Sequence, residues 1–221
     1  MLTDYAPPTH QGITSDTRPA CTPRLSIRQL QSPHAGPISL DIAAGECVAI
    51  IGESGSGKSV FLRLIADLDP CSGAVLLDGT ARETWPASTW RSMVVYQPAE
   101  PAWWALTAEA HFSPEQNTFA GAILPLLNLK PAVLQTDLAL LSTGERQRLA
   151  LIRSLACKPR VLLLDEPAAS LDPTSTMAME ALLQTNLARG MSIMIVTHSD
   201  QQAARLSQRL LRMTQGRLEP I

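Results

Sequence analysis

Short apolar runs alternate with longer stretches of helical periodicity along most of the chain. Three of the runs are nearly continuous in aliphatic residues, and they lie at Cys47–Ile51, Val161–Asp165 and 192–197. Such runs are typical of strands that are buried on both faces of a parallel sheet. The pattern therefore predicts an α/β fold in which helices cover a parallel sheet.

Weaker strand signals accompany turn residues such as Asp78 and Gly79. These signals lie at 25–30, 38–42, 74–77 and 93–97. Because Asp-Gly pairs are common in tight hairpin turns, we expect these segments to form an antiparallel edge of the sheet.

Helical periodicity appears in three places, after Lys58, after Ser142 and over 174–187. Each segment repeats apolar residues at intervals of three or four, as a helix with one buried face does. Gly190 is expected to end the third helix, since glycine readily adopts the backbone conformation found there.

A change of composition marks a second lobe. Between 98 and 141, β-branched runs give way to Ala, Leu, Trp and Pro, which predicts a mostly helical insertion in the sheet. We therefore expect one domain with a core lobe over 24–97 and 159–221 and a helical lobe over 98–158.

Charge and composition narrow the class of protein without naming a partner. The 221 residues include 18 Lys and Arg against 20 Asp and Glu, a near-balance that does not favour nucleic-acid binding.

No apolar run reaches the roughly 18 to 20 residues of a membrane-spanning helix. The first 23 residues lack the order of a signal peptide and are rich in Pro, Thr and Asp, so we expect a disordered leader. The wide spacing of the four cysteines favours reduced thiols.

The most specific motif is the glycine-rich stretch that follows the first aliphatic run. It matches the phosphate-binding pattern GxxxxGK[ST] and reads Gly52-Glu53-Ser54-Gly55-Ser56-Gly57-Lys58-Ser59. In such a loop the backbone N–H groups face phosphate oxygens, Lys58 reaches the outer phosphates and the hydroxyl of Ser59 ligates Mg²⁺. The alternative is a simple Gly/Ser-rich turn, and the preceding strand, the lysine and the hydroxyl together argue against it.

The second aliphatic run ends in two carboxylates, Asp165 and Glu166. In an open α/β sheet, ligands lie beyond the carboxyl ends of the strands, so Asp165 is expected to face Mg²⁺. Glu166 is the candidate general base that polarises a water for attack on the terminal phosphorus. Taken alone, Asp-Glu-Pro could simply start a helix with favourable negative charge. Its pairing with the phosphate-binding pattern favours the functional interpretation.

Four further segments occur in the order of one family. The decapeptide Leu-Ser-Thr-Gly-Glu-Arg-Gln-Arg-Leu-Ala at 141–150 resembles the signature sequence of ATP-binding cassette (ABC) ATPases. Gln97 resembles that family's Q-loop, Ser-Leu-Asp at 170–172 its D-loop, and His198 its switch histidine. The resemblance covers residues 25 to about 218. It implies a RecA-like P-loop NTPase core with an inserted helical subdomain, and ATP and Mg²⁺ as ligands.

The resemblance also implies roles for individual residues. In this family two subunits close head to tail around two ATP molecules, so Ser142, Gly144 and Asp172 would contact the nucleotide held by the other subunit. His198 would contact the γ-phosphate and hold the general base and the attacking water. Gln97 would act in catalysis by sensing Mg²⁺ and that water. A histidine at a strand end, or a glutamine before a proline, is often only structural. The inference therefore depends on their joint spacing.

Three features depart from the family pattern. Thr143 stands where glycine is usual, and its Cβ could crowd a phosphate. Glu145 replaces the more usual glutamine. The segment 25–38 lacks the aromatic ring that normally stacks on adenine, and His34 is its only flat side chain. We therefore predict modest discrimination between ATP and GTP in nucleotide titrations of the Mg²⁺-free protein.

The family resemblance implies partners as well. A pair of cassettes, identical or different, would dock on separate transmembrane permease subunits at the cytoplasmic face of the membrane. Trp103 and Trp104 lie in a Pro-bounded loop near Gln97, so one of them is expected to line a groove for a permease helix. The alternative is that both rings fill the core of the helical lobe.

Other interpretations remain open. A loose similarity to cassettes of metal-ion export lies at 90–97. A soluble ABC ATPase acting on DNA or ribosomes would generally carry tandem cassettes or coiled-coil insertions, a small-molecule kinase would lack the signature, and a regulatory module would turn over weakly. Three C-terminal arginines at helical spacing are interpreted as a solvated face without a site: Arg205, Arg209 and Arg212.

Overall fold

The computed structural model describes residues 22–221, so almost all of the predicted leader over 1–23 lies outside the described residues. The strands of this part of the chain are β1 Leu25–Ser32, β2 Ala35–Ile42, β3 Cys47–Ile51, β4 Ser72–Leu77, β5 Thr80–Ala81, β6 Val94–Gln97, β7 Val161–Asp165, β8 Ser192–Val196, β9 Arg209–Thr214 and β10 Arg217–Pro220. The α-helices are α1 Lys58–Ile65, α2 Ala87–Met93, α3 Pro114–Ile123, α4 Thr143–Ala156, α5 Pro173–Ala188 and α6 Asp200–Leu206.

A six-stranded sheet with the order β10-β9-β3-β8-β7-β6 forms the central layer. Five of its strands run parallel, and β10 closes one edge in the antiparallel direction. The three predicted central strands are confirmed as β3, β7 and β8, whose side chains are almost all buried. Their carboxyl ends meet at one edge of the sheet, where ligands of such folds bind.

Each face of the central sheet covers its own apolar core. Along β3, Cys47 and Ala49 contact one core, while Val48 and Ile50 contact the other. Helices α3, α4 and α5 close the first core, and α1 together with a second sheet closes the second. Because both faces are covered, the central strands are apolar throughout rather than alternating.

The antiparallel strands form a separate sheet, with the order β2-β1-β4-β5, instead of an edge of the central sheet. The expectation for 93–97 is wrong, because Met93 ends α2 and β6 pairs with β7 in the parallel direction. The direction of such a short strand is decided by how the chain approaches it through α2. Local composition therefore does not predict the direction of the strand.

Between β6 and β7 the chain leaves the sheet for α3 and α4, as the predicted helical insertion requires. Helix α4 begins with a capping box, in which the N–H of Glu145 donates to the Ser142 hydroxyl at 3.2 Å and the N–H of Ser142 donates to the Glu145 carboxylate at 2.8 Å. Helix α5 ends just before Gly190, which has φ of +91°, as predicted. No helix within residues 22–221 is long and apolar enough to cross a bilayer.

The C-terminal arginines do not form a helical stripe. Arg205 lies in α6, whereas Arg209 and Arg212 lie in β9, so the helical interpretation is wrong. A spacing of three residues along a strand places two side chains on opposite faces. Arg205 pairs with buried Glu180 through two contacts of 2.6 and 2.7 Å, which explains its place on α6.

Candidate functional site

The glycine-rich loop joins β3 to α1 at the carboxyl edge of the central sheet. Gly57 has φ of +103° directly before α1, a conformation that residues with a Cβ rarely adopt. A Cβ on Gly52 would collide with the carbonyl oxygen of Met213, and one on Gly57 would lie 2.9 Å from the carbonyl oxygen of His34. The loop takes this shape because only glycine fits at both positions.

Two turns from distant parts of the sequence support this loop. In the β9–β10 hairpin, the N–H of Gly216 donates to the carbonyl of Ser56 at 2.9 Å. The carbonyl of Gly216 accepts from the N–H of Gly36 at 2.8 Å. The loop is therefore connected through main-chain hydrogen bonds to both sheets.

The loop and the neighbouring strand ends enclose a cleft of about 620 Å³. It is lined by residues 54–59 of the loop, by Asp165 and Glu166 after β7, and by His198 after β8. His34, the flat side chain noted in the sequence, lies at the same cleft. The first two residues of the motif line an adjoining depression. The structure thus brings the whole phosphate-binding pattern together with three predicted residues from two other strand ends.

Lys58 is buried at the base of the cleft. Its Nζ donates to the carbonyls of Gly52 and Glu53 at 2.7 and 2.8 Å. Burial lowers the pKa of this ammonium group, while the nearby carboxylates act in the opposite direction. The hydroxyl of Ser56 is also buried, and it has no hydrogen-bond partner among the described residues. An ammonium group and an unpaired hydroxyl beside a glycine cradle fit the phosphates of a nucleotide.

Asp165 is buried at the end of β7, with 5% of its surface exposed. The hydroxyl of Tyr96 donates to its Oδ2 at 3.0 Å, and burial together with the Asp165 charge raises the pKa of that tyrosine. Ser59 lines the same cleft from the first turn of α1. A hydroxyl and a carboxylate, completed by phosphate oxygens, form a donor set that suits Mg²⁺. Within residues 22–221, no cluster of His, Cys, Asp and Glu side chains offers another metal centre.

Glu166 directly follows β7 with φ of +48°, a left-handed conformation that is uncommon for glutamate. Its N–H donates to the carbonyl of Val196 on β8 at 2.9 Å. His198 Nε2 lies 3.1 Å from Glu166 Oε1, within ion-pair distance, although Oε1 accepts no hydrogen bond of good geometry. Burial raises the pKa of the Glu166 carboxyl, and His198 partly offsets this effect. A half-buried carboxylate with a raised pKa is suited to accept a proton.

The signature segment begins α4 and does not line the cleft of its own chain. Ser142 is exposed, and its hydroxyl donates to the Glu145 carboxylate at 2.7 Å, which lowers the pKa of that glutamate. Thr143 is exposed in the first turn. Gly144 packs closely on the next loop, since a Cβ there would lie 2.9 Å from the carbonyl oxygen of Ser170. This glycine is therefore required for contact between α4 and that loop.

Asp172 and Gln97 also lie apart from the cleft lining. The Asp172 carboxylate caps α5 by accepting the hydroxyl and the N–H of Ser175 at 2.6 and 2.9 Å, and these bonds lower its pKa. Gln97 is 2% exposed, and its Oε1 accepts from the Ser154 hydroxyl at 3.2 Å. Its Nε2 is buried without a partner in residues 22–221. The side chain of Gln97 thus turns toward α4, and its predicted contact with Mg²⁺ stays a prediction.

Sequence reasoning missed two residues that support the site. Tyr96 contacts Asp165, and Gln147 on α4 donates from its Nε2 to the carbonyl of Glu166 at 2.9 Å. Gln147 carries a signal in the sequence, since it is a polar residue on the face that α4 buries. Tyr96 carries none, because its position depends on the pairing of β6 with β7.

The two tryptophans of the Pro-bounded loop differ in environment. Trp103 packs against the first core, whereas Trp104 is 75% exposed. The guanidinium carbon of Arg153 lies 4.2 Å from the Trp103 ring centre and 5.1 Å from that of Trp104, at cation–π distances. His111 makes edge contacts with both rings. Trp103 therefore fits the alternative in which the ring packs in the core. Trp104 fits the alternative in which the ring is exposed and free to contact a partner.

Comparison with known proteins gives matches over most of the chain. The model of the family described as ABC transporter matches residues 35–169. The sn-glycerol-3-phosphate import ATP-binding protein of Rhizobium johnstonii is 34% identical over 213 residues, which cover 89% of this chain and 58% of that protein. The phosphate import ATP-binding protein of Synechococcus sp. is 38% identical over 190 residues, covering 77% and 69%. The aliphatic sulfonates import ATP-binding protein of Cupriavidus pinatubonensis is 36% identical over 218 residues, covering 93% and 71%. The chain thus spans less than two thirds of the first relative's length.

Solved structures share the fold. A dimeric, post-hydrolysis ATP-binding cassette bound to ADP and Pi has a TM-score of 0.77 at 23% identity, covering 89% of this chain and 98% of that one. The ATP-binding subunit of an ABC transporter has a TM-score of 0.80 at 24% identity, covering 89% and 90%. These likenesses show that the chain has the α/β fold of such cassettes. Since the family model also matches more than half of the sequence, the chain belongs to the ABC transporter family as an ATP-binding cassette.

Proposed function

We propose that this chain binds ATP with Mg²⁺ and hydrolyses it as the nucleotide-binding subunit of an ABC transporter. The observation that carries the proposal is the meeting of Lys58, Asp165, Glu166 and His198 in one cleft. Family membership and the import ATP-binding relatives support it. The fold alone would not be enough, because P-loop folds serve many reactions.

The glycine-rich loop binds the phosphates in this proposal. Helix α1 begins at Lys58, so its N-terminal N–H groups and positive dipole end favour an anion at the loop. Lys58 donates to two carbonyls of its own loop, and it can exchange these for phosphate oxygens. Ser59 and Asp165 would hold Mg²⁺, which supplies charge neutralisation when bound. In the family an aromatic ring usually stacks on adenine. The segment 25–38 lacks such a ring, and His34 has its only flat side chain.

Glu166 accepts the proton of the attacking water in the proposed reaction. Its burial raises the pKa of the carboxyl, which makes it a stronger base than an ordinary glutamate. His198 Nε2 lies 3.1 Å from Glu166 Oε1, close enough to bond this carboxylate once the two groups align. Gln97 would have to turn out of its buried position to reach Mg²⁺, so its proposed sensing role requires movement of the helical lobe over 98–158.

Ser142, Gly144 and Asp172 would serve the nucleotide of a second cassette. All three lie outside the cleft of their own chain, and Ser142 is exposed at the N-terminus of α4, where free N–H groups favour anions. A cassette of the same fold is dimeric with ADP and Pi bound. We propose a head-to-tail pair of cassettes, formed from two copies of this chain or from this chain and a related one.

Glu166→Gln tests the hydrolysis and the pairing together. Because it removes the base and keeps the size of the side chain, kcat should fall about 100-fold or more. ATP affinity should stay within about threefold, since phosphate binding depends on the loop. With ATP and Mg²⁺, light scattering should show a dimer. Glu219→Gln, an exposed change on β10, is the control and should keep wild-type turnover. Unchanged turnover of Glu166→Gln, or a persistent single copy with ATP, contradicts the proposal.

A separate membrane permease is the proposed partner, with the cassette at the cytoplasmic face of the membrane. The proposed contact surface consists of Trp104 and Leu106, both 75% exposed on the loop that follows β6. Arg153, which lies across the Trp104 ring, stiffens this surface. The three relatives are import ATP-binding proteins, so we propose import over the metal-ion export suggested by 90–97.

Trp104→Ala tests the docking surface. Co-purification in detergent with a co-expressed multi-span permease should fall about tenfold, because exposed tryptophans commonly dominate such contacts. Leu126→Ala, another exposed apolar change in the same lobe, should leave recovery unchanged. Full recovery with Trp104→Ala would rule out this surface.

A further inference from the structure

Gln147 is a buried polar residue on α4, and 3% of its surface is exposed. It lies on the same helical face as Ala150, Leu151 and Ser154, all of which are buried. A buried amide without partners would destabilise the fold, so its hydrogen bonds determine whether it can be tolerated.

Both ends of the Gln147 amide are engaged. Its Nε2 donates to the carbonyl of Glu166 at 2.9 Å, and its Oε1 accepts from the N–H of Ser170 at 3.3 Å. These two partners lie at either end of the short turn that follows β7. One side chain of α4 therefore spans the turn and ties it to the helix.

The turn needs such support because of the backbone at Glu166. A left-handed conformation is unfavourable for a residue with a Cβ, and it persists only where the surroundings enforce it. The N–H of Glu166 is held by the Val196 carbonyl at 2.9 Å, and its carbonyl is held by Gln147. These bonds fix the peptide groups on both sides of the Glu166 Cα, and with them the direction of its carboxylate toward His198.

The same helix carries the signature segment at its start. Gly144, three residues before Gln147, packs so closely on Ser170 that a Cβ would lie 2.9 Å from the Ser170 carbonyl oxygen. The first two turns of α4 thus contact the turn after β7 twice. A displacement of the signature end of α4 would therefore move the turn after β7 and, with it, the backbone of Glu166.

We propose that Gln147 is a positioning residue for hydrolysis: it holds Glu166 in its left-handed conformation and makes the direction of that carboxylate depend on α4. The inference rests on the proposed ATP hydrolysis. Gln147 touches neither nucleotide nor water in this role. Nucleotide binding and base positioning are therefore separable, since the first depends on the glycine-rich loop and the second on α4.

Gln147→Leu is the main test, because leucine keeps the bulk and loses both hydrogen bonds. We expect kcat to fall about tenfold while the Kd for ATP changes less than threefold. Gln147→Glu, which keeps an acceptor for Ser170 and loses the donor to Glu166, should lower kcat by a similar factor and guards against a folding defect in the first variant. Gln208→Leu is the matched control. It removes a glutamine hydrogen bond to the N–H of Cys47 at the opposite end of the central sheet and should leave kcat unchanged.

Two further measurements separate positioning from simple stability. In a Glu166→Gln background, Gln147→Leu should change single-turnover hydrolysis less than twofold, because residues that act through one group are not additive. Amide exchange in the peptide containing Ser170 should accelerate about tenfold in nucleotide-free Gln147→Leu, since that N–H loses its acceptor.

An unchanged kcat in both Gln147 variants overturns the inference, as does a tenfold loss that persists in the Glu166→Gln background. A wild-type protein that binds ATP without hydrolysing it would instead overturn the proposed function, so the two failures are distinguishable.

Discussion

The loop after β3 and the turn after β7 lie side by side at the same sheet edge, and they are held in different ways. The loop relies on Gly52 and Gly57, which are backed by main-chain atoms of other segments. The turn relies on Glu166 in a left-handed conformation, secured by the side chain of Gln147. The loop is fixed mainly by main-chain contacts, together with its own Lys58, and the turn is fixed by a side chain of α4.

The difference teaches how binding and chemistry are divided in this fold. A loop fixed by backbone contacts keeps its shape when the helical segments move, so it can receive phosphates at any time. A carboxylate held by α4 is correctly aimed only when α4 is in place. In the proposed reaction, hydrolysis would therefore be sensitive to a movement of α4, whereas nucleotide binding would not.

Gly52→Ala should have the largest effect, and the quantity that changes should be the affinity for ATP. The new Cβ would collide with the Met213 carbonyl, so the loop must shift, and the Kd for ATP should rise about 100-fold, or about 2.7 kcal/mol. Gly55→Ala is the control in the same loop, because its Cβ would meet no atom within 4 Å and only the backbone conformation opposes it. Isothermal titration should give a Kd change of about tenfold or less for that control. Equal effects would mean that backbone support by β9 is unimportant.

The pH dependence of kcat should report on the turn after β7, through the ionisation of Glu166. Glu166 must be ionised to accept a proton, and burial raises the pKa of its carboxyl. Activity should therefore be full above this raised pKa and be lost as the pH falls through it, about tenfold per pH unit at the acidic end. The acidic limb should lie above the range of an ordinary glutamate, while Kd for ATP should not follow it. A limb at the usual glutamate pKa would contradict the role of burial.

The smallest effect concerns the strain at Glu166. Asparagine tolerates the left-handed conformation better than glutamine does, so Glu166→Asn should be more stable than Glu166→Gln by about 0.5–1 kcal/mol in free energy of unfolding. Denaturant titration of the two inactive variants measures this difference directly. If Glu166→Gln is the more stable protein, the left-handed conformation is not a source of strain.

The central strands and the phosphate loop could be predicted from the sequence because their causes are local. Continuous aliphatic runs identify β3, β7 and β8, and the spacing of glycines with Lys58 identifies the loop. The neighbours of each strand could not be predicted in this way. The parallel pairing of β6 with β7, which brings Tyr96 to Asp165, depends on the route of the whole chain.

The orientation of side chains could not be predicted from the sequence either. The Q-loop pattern identifies Gln97, yet the residue faces Ser154 because α4 packs beside β6 and offers a hydroxyl. The helical spacing of the last arginines suggests one element, yet the chain divides there into α6 and β9. In both cases, packing between distant segments decides what a local pattern leaves open.

The main-chain bonds from Gly36 through Gly216 to Ser56 have a consequence for natural variation. They connect the start of β2 and the β9–β10 turn, which carry no recognisable motif, to the glycine-rich loop. If the loop binds nucleotide as proposed, substitutions at these remote positions would change the affinity while every motif residue of the cassette stays the same.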